Sequence, residues 1–349
     1  MPRPPETILH IGLGGAGQRH LRLIRQVLGD GLRHLAWRQT HTTPTLTASF
    51  EIDEGVSLEE KYGIELMPDL RSAIAEKPDL AVIATPTALH LAPAEALAAA
   101  GVSMVIEKPL SHNMHGVPAL LSQIRDGGQK FGMVFQRRRH PLIAKARALI
   151  AEGRLGPIVS AAFDVSSFVP AWHAYEDFRQ LYAVREDLGG GVLLTEIHEI
   201  DLCQWMFGIP KTVFCAAGNR GFCPLDVEDT ALLTLDYGAF AAALDLSFMR
   251  KPVGRGFRID GADATLIWRD SPDQLSLIDA DGRIEVTSPA PGFSGEQPFY
   301  EFWDDFFNNS GRKSTTDSLD AALNAQVVVD AARRSMESGQ SVSISQAGS

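Results

Sequence analysis

Apolar residues follow two different rhythms along this chain. Up to Gln136, short apolar runs alternate with longer stretches of helical spacing. The runs Thr7–Gly12, Leu32–Arg38, Leu80–Ala84, Ser103–Ile106 and Gly132–Gln136 predict strands. Between them, Leu89–Ala100, closed by Gly101, and Val117–Arg125, closed by Gly127-Gly128, predict helices. Strands alternating with helices of this length make βαβ units and a parallel sheet. Right-handed crossovers then bring the strands' C-terminal ends to one edge, where ligands bind.

After Pro141 the rhythm changes. A helix near Leu142–Glu152 leads through the turn Gly153–Pro157 into strand-like runs. These are Ile158–Phe168, Thr212–Ala217, Ala231–Leu235, Phe240–Phe248, Gly256–Asp260, Ala264–Trp268 and Leu275–Asp279. Short connections such as Asp236-Tyr237-Gly238 and Asp279-Ala280-Asp281-Gly282 predict a mostly antiparallel sheet. One helix interrupts it at Gly191–Phe207, and two lie near Glu296–Asn309 and Ser318–Ser338. The fold class is α/β plus α+β, in two domains that divide between Gln136 and Pro141, at residues 1–138 and 139–349.

Composition narrows the reading. A chain of 349 residues suits two domains, and 45% hydrophobic with 21% charged residues is ordinary for a globular protein. No run of eighteen apolar residues offers a membrane span. Met1-Pro2-Arg3-Pro4-Pro5-Glu6 is too polar for a signal peptide. Cys203, Cys215 and Cys223 lack metal or redox spacing, so the expectation is a cytoplasmic protein without a metal site. A formal net charge of −11 argues against nucleic acid as partner, and an anionic ligand then needs a local basic patch.

Candidate chemistry begins at the first strand, which runs into Gly12-x-Gly14-x-x-Gly17 and then into a helix. Gly12 allows the tight turn, Gly14 the close approach of backbone to pyrophosphate, and Gly17 the packing of helix on strand. The helix N-terminus, with Gly15 and Ala16, presents free N–H groups to the anion. The fourth strand ends in Ala84-Thr85-Pro86-Thr87, followed by Leu89-His90; Thr85, Pro86 and His90 count as cofactor-lining residues. The fifth ends in Glu107-Lys108-Pro109. A charged pair there is costly unless paired or used. From that position the Lys108 ammonium can polarise a substrate oxygen. Farther on, Gly189-Gly190-Gly191 leads to Thr195, His198 and Asp201 on a helix. His198 is a candidate acid or base, with Asp201 one turn away as its hydrogen-bond partner.

This ordered series resembles the glucose–fructose oxidoreductase / inositol dehydrogenase / rhizopine catabolism (Gfo/Idh/MocA) family over nearly the whole chain. Further markers are Tyr62-Gly63-Ile64, Lys77-Pro78-Asp79, Glu152-Gly153-Arg154-Leu155-Gly156 and Val227-Glu228-Asp229-Thr230. The resemblance implies an N-terminal Rossmann domain and a C-terminal open-sheet domain that binds substrate and builds homo-oligomers. It implies hydride exchange at a carbon of a sugar or cyclitol. It assigns the family's lysine to Lys108 and its histidine to His198.

Two departures stand out. The family's aspartate four residues before the histidine is replaced by Leu194, and Thr195 stands where a subgroup acting on nucleotide-linked and acidic sugars carries an aspartate. Thr195 cannot be a base, so proton transfer falls to His198 or Lys108. The second strand ends Trp37-Arg38-Gln39-Thr40, with no acid to hold the ribose of NAD. Arg38, with Thr40 or Thr42, suits the 2′-phosphate of NADP; NAD is the alternative.

Two basic segments complete the candidates. If Arg137-Arg138-Arg139 lies on a strand, at most two of the three face one side; Arg138 or a neighbour is then available to a negative substrate group. The aromatic and cationic stretch from Trp172 through Arg179, Tyr182 and Arg185 has the composition of a lid or substrate wall, or of an oligomer contact. The expected activity is NAD(P)-dependent oxidation or reduction of a sugar-like small molecule. The alternatives are a non-catalytic NAD(P)-binding sensor and NAD-dependent glycoside cleavage.

Overall fold

The computed structural model describes residues 5–38, 44–172, 176–220, 225–308 and 312–344. In chain order the first domain runs β1 (Thr7–Ile11), α1 (Gly15–Leu28), β2 (Arg33–Trp37), α2 (Leu58–Tyr62), β3 (Ile64–Leu66), α3 (Leu70–Ala75), β4 (Leu80–Ile83), α4 (Leu91–Ala99), β5 (Ser103–Ile106), α5 (Val117–Gly127) and β6 (Phe131–Met133). Its six strands are parallel in the order β3-β2-β1-β4-β5-β6. The order reverses at β1/β4, the switch point where a doubly wound sheet opens a crevice. Both faces of β4 are buried, as expected for Leu80-Ala81-Val82-Ile83 between two helical layers.

The second domain continues with α6 (Pro141–Ala151), β7 (Ile158–Phe168), α7 (Val192–Thr195), α8 (Ile197–Phe207), β8 (Thr212–Gly218), β9 (Thr230–Asp236), β10 (Ala241–Ser247), β11 (Met249–Gly261), β12 (Ala264–Asp270), β13 (Asp273–Asp279), β14 (Ile284–Thr287), α9 (Gln297–Asn308), α10 (Arg312–Ser338) and β15 (Val342–Ser343). Nine strands form one open sheet, antiparallel except for β7 with β10. Alternation along β9 buries Ala231, Leu233 and Leu235 and exposes the residues between them.

Three elements differ from the sequence reading. Gln136–Arg139 is a 3-10 turn and not the end of a strand. The stretch Gly191–Phe207 is two helices broken at Glu196, whose φ of −97° and ψ of 32° leave the helical region. The third is the return of the chain across the division at 138/139, which the sequence does not signal. Phe299, Phe302, Trp303 and Phe306 of α9 pack with Ile8, Val82, Val105 and Val134 of the first domain. Thr40, Thr42 and Cys223 lie outside the described residues.

The first sheet also buries a pair of imidazoles, His10 on β1 and His34 on β2, with His10 Nε2 3.1 Å from His34 Nδ1. Burial holds His34 down at about 4 and His10 well below its ordinary 6.5. An unfolded imidazole titrates near 6.5, so below that pH the unfolded chain takes up protons that the folded pair refuses. Stability is therefore full above pH 6.5 and falls as pH drops toward 4. The double variant His10→Leu/His34→Leu is expected to lose several kcal/mol less than wild type between pH 7 and 4, His34 alone accounting for about 3 kcal/mol. Urea unfolding at each pH checks this, and equal losses would contradict it.

Candidate active site

The dinucleotide end of the site is built from small residues. Gly12 has φ of 87°, and a Cβ there would sit 2.8 Å from the Ala84 carbonyl oxygen. A Cβ on Gly17 would strike the Gly12 carbonyl, so α1 crosses β1 only with glycine at both positions. A Cβ on Gly14 would meet nothing within 4 Å. No side chain caps α1, and its first turn has no acid. The N–H groups of Gly15, Ala16 and Gly17 thus open on space beside Gly14, a cradle that fits a pyrophosphate. Gln18 fixes the loop: its amide donates to the carbonyls of Leu13 and Pro44, and its oxygen accepts from Leu46 N. Arg38 follows β2, only 6% exposed, with its guanidinium 3.6 Å from Glu59.

Two strand ends meet across His90. Its ring nitrogens lie 2.8 Å from the carbonyl oxygens of Pro109 and Thr85, so this buried imidazole ties the β4 loop to the β5 loop. The Thr85 hydroxyl is buried without a hydrogen-bond partner, and Pro86 begins a 3-10 turn over Thr87–Leu89. Glu107 is tethered from the other side. Its Oε1 is 2.8 Å from His20 Nε2, and the Trp303 indole donates to His20 Nδ1 at 3.0 Å. An indole only donates, so His20 Nδ1 accepts and Nε2 carries the proton that goes to Glu107. Burial pushes the Glu107 carboxyl up, but the His20 bond and the charges of Lys108 and Arg19 outweigh it, leaving Glu107 below its usual range. The carboxylate also accepts from the Lys108 backbone N–H, which fixes the start of the lysine.

Lys108 then crosses to the second domain. Its ammonium donates to the Thr195 carbonyl oxygen at 2.7 Å. That carbonyl is available because the helix breaks at Glu196. Burial lowers the Lys108 pKa, with Glu196 and Glu107 opposing and Arg255 and Arg137 adding to the fall. His198, one residue into α8, is 4% exposed and has an unpaired Nδ1. Burial, and then Lys108, Arg137 and Arg255, push it well below 6.5, so the ring is neutral at pH 7. The Thr195 hydroxyl is also buried and unpaired. The glycine run delivers these residues: a Cβ at Gly189 would lie 2.7 Å from His112 Cβ and 3.0 Å from Ala88 N, so only a bare backbone passes the first domain here.

Four charged residues surround this group, and of these the sequence reading named only Arg137, as part of the arginine run. Arg255 on β11 bonds Glu199 at 2.7 Å and Glu196 at 2.9 Å. Burial pushes Glu199 up to about 7, against Arg255 and with help from Glu196. Arg137, the fourth, acts electrostatically on Lys108 and His198. The spacing of Glu196 and Glu199 beside His198 was a visible signal; Arg255, on a distant strand, left none. Tyr182 also falls within range of Glu107 and Glu196, and burial keeps its hydroxyl protonated.

Several candidates lie elsewhere. Arg138 does not join the lysine and histidine: it grips Asp201 at 2.6 and 3.0 Å. Asp201 is therefore engaged by Arg138, and the expected Asp201–His198 hydrogen bond is absent. Arg139 pairs with Asp305. Arg179 and Arg185 are 63% and 38% exposed and bond the nearby Asp177 and Asp187. Trp172 anchors to the Ser167 hydroxyl at 2.7 Å and packs edge-on against Phe248.

Arg138→Ala leaves the Asp201 carboxylate buried and uncompensated. It is expected to destabilise the protein by about 3–5 kcal/mol. Arg185→Ala, at an exposed pair, should cost far less. Denaturant titration compares the two, and a small loss for Arg138→Ala would show that the pair does not hold α8.

Comparison with known proteins agrees with this architecture. Residues 7–135 match the family model described as "Oxidoreductase family, NAD-binding Rossmann fold", and residues 147–344 match "Oxidoreductase family, C-terminal alpha/beta domain". A levoglucosan dehydrogenase of Pseudarthrobacter phenanthrenivorans is 25% identical over 64% of this chain and 65% of its own length. D-xylose 1-dehydrogenase (NADP(+)) 2 of Haloferax volcanii is 28% identical over 54% of this chain and 55% of its own. The chain thus spans less than two thirds of the length of these curated relatives. Among solved structures, a levoglucosan dehydrogenase in complex with NADH and levoglucosan superposes with a TM-score of 0.80 at 20% identity, covering 97% of this chain and 99% of that one. The WlbA dehydrogenase from Bordetella pertussis, in complex with NADH and UDP-GlcNAcA, gives 0.77 at 19% identity with the same coverage. With both of its domains matched by the family's models, the chain belongs to the Gfo/Idh/MocA oxidoreductase family.

Proposed function

We propose that this protein is an NAD(P)-dependent oxidoreductase acting on a CH–OH group of a sugar-like small molecule. One observation carries the reading: the half-buried ammonium of Lys108 bonds the Thr195 carbonyl, and polar atoms around this junction are buried without partners, namely the Thr195 hydroxyl, Nδ1 of His198, and the Thr85 hydroxyl on the loop that His90 ties to the lysine's own. Buried polar groups left unpaired in a native fold call for an explanation, and a polyhydroxylated ligand supplies one. With the dinucleotide's pyrophosphate held at the α1 cradle, its nicotinamide would supply a hydride acceptor or donor for a carbinol carbon. Lys108 orients the reacting oxygen and stabilises negative charge on it. His198, neutral at pH 7, takes the hydroxyl proton in oxidation and returns it in reduction. Thr195 offers a hydroxyl for positioning and no proton acceptor. The curated relatives named above are sugar dehydrogenases, which supports the same substrate class.

NADP is the preferred cofactor in this reading, through Arg38; NAD is the alternative. Glu59, 34% exposed, can turn to water when a 2′-phosphate takes its place on the guanidinium. A homo-oligomer formed through the second sheet fits the exposed apolar side chains of Phe214 on β8 and Leu232 on β9, which are 40% and 52% exposed. No helix among the described residues is long and apolar enough to cross a membrane. A cytoplasmic location fits the buried free thiols Cys203 and Cys215.

Lys108→Met is expected to lower turnover by two or more orders of magnitude, on the order of 3 kcal/mol in the barrier, with cofactor affinity nearly unchanged. Absorbance of reduced nicotinamide and cofactor titration measure the two separately. Near-normal turnover on a true substrate would make the lysine structural. Arg38→Ala is expected to weaken NADP about tenfold or more and NAD little. Equal losses, or tighter NAD binding by wild type, would assign the site to NAD.

A further inference from the structure

The run Arg137-Arg138-Arg139 sits on a 3-10 turn, in which three successive side chains point in three directions. Two of the guanidiniums have partners: Arg138 holds Asp201, and Arg139 holds Asp305. The third does not. Among the described residues the Arg137 guanidinium has no hydrogen bond or ion pair, and its Nε is buried without an acceptor.

None of the nearby carboxylates bonds it. Glu196 and Glu199 bond Arg255, and Asp270 accepts the Arg255 backbone N–H; the second Glu199 oxygen, Oε2, is buried without a partner. Burial, with repulsion from Arg255 and against the pull of Glu199, Glu196 and Asp270, pushes Arg137 down to about 10. The side chain is half-buried, so its guanidinium, without a carboxylate on it, favours a counter-ion at this place.

Its location says what completes it. Phe135, two residues earlier, packs edge-on against the His198 ring with centroids 6.4 Å apart, and Arg138 bonds Asp201 on the same α8, so this turn lies beside His198 and a group bound to the Arg137 guanidinium belongs to the small molecule that reaches that ring. The guanidinium fork matches a planar carboxylate through two parallel hydrogen bonds. A sugar hydroxyl in that place would leave the charge uncompensated.

We infer that Arg137 is the specificity residue for an acidic sugar, its guanidinium seating a substrate carboxylate while Lys108 and His198 face the carbinol carbon. The inference rests on the oxidoreductase reading above for the role of Lys108 and His198. It adds that the substrate is an anion. The carboxylate also removes one uncompensated positive charge from beside His198, so that ring accepts a proton more readily once substrate is bound.

The test uses matched pairs that differ only in the acid: D-glucuronate with D-glucose, D-galacturonate with D-galactose, and D-gluconate with D-glucitol. Binding is read by calorimetry on the Lys108→Met enzyme loaded with NADPH or NADH, and turnover by nicotinamide absorbance on wild type. At least one acid should bind about tenfold or more tighter than its neutral partner. Arg137→Gln should abolish that preference through KM and not kcat, and Arg137→Lys should restore part of it. Neutral sugars bound or turned over as well as the acids, binding of none of the acids, or an acid preference that survives Arg137→Gln would overturn the inference. Unfolding curves of Arg137→Gln exclude loss of fold as the cause. An acid that binds through Arg137 but is not turned over by wild type leaves this inference standing and counts against the oxidoreductase reading. Turnover confined to neutral sugars does the reverse.

Discussion

A lysine ammonium partly withdrawn from water has to find acceptors, and in this fold it finds one in the other domain. The bond from Lys108 to the Thr195 carbonyl exists because the chain departs from helical geometry at Glu196 and leaves that carbonyl without a helical partner. Much of the site is arranged around this contact. His90 ties the loops after β4 and β5 together, Trp303 and His20 hold Glu107, and Glu107 fixes the backbone of Lys108. The glycines at 189–191 let the second domain's backbone approach closely enough to present Thr195 and His198. Two domains with separate sheets thus meet at one ammonium.

The charges at this meeting are unevenly matched. Arg255 bonds two carboxylates, one of them raised to about 7 with an oxygen left unpaired, while Lys108 and Arg137 retain unused capacity and His198 stays neutral. Such an arrangement costs stability in the absence of ligand and favours whatever supplies oxygens in the right places. Perturbed groups of this kind gather where chemistry is done. The unpaired hydroxyls of Thr85 and Thr195 point to the same conclusion by a different route, since they need partners and not counter-ions.

The sequence disclosed the parallel sheet, the open sheet and the strand ends that bear the glycines, Lys108 and the helix of His198, because each rests on local periodicity and turn chemistry. Ser103–Ile106 and Ile158–Phe168 fall where the apolar runs place them. The second-sheet strand β14 was too short and exposed to stand out, and the return of α9 to the first sheet is a long-range packing event with no local sign. The arginine run shows where local reasoning stops. Strand geometry offers two faces, but a 3-10 turn offers three, and the turn follows from the chain leaving β6 for the second domain. Asp201 was read as the partner of His198 from helical spacing alone, yet its carboxylate belongs to a guanidinium that reaches it from that turn.

The central claim is that Lys108 and His198 face one reacting oxygen in a crevice completed by both domains. The most direct measurement is a crystal structure of the protein with reduced cofactor and a sugar acid bound together. The account requires the nicotinamide to lie at the C-terminal ends of β4 and β5, with a single carbinol oxygen of the sugar within hydrogen-bond reach of both Lys108 Nζ and a ring nitrogen of His198. A sugar bound away from the lysine, or a His198 ring held from the reacting oxygen by protein atoms, would contradict it.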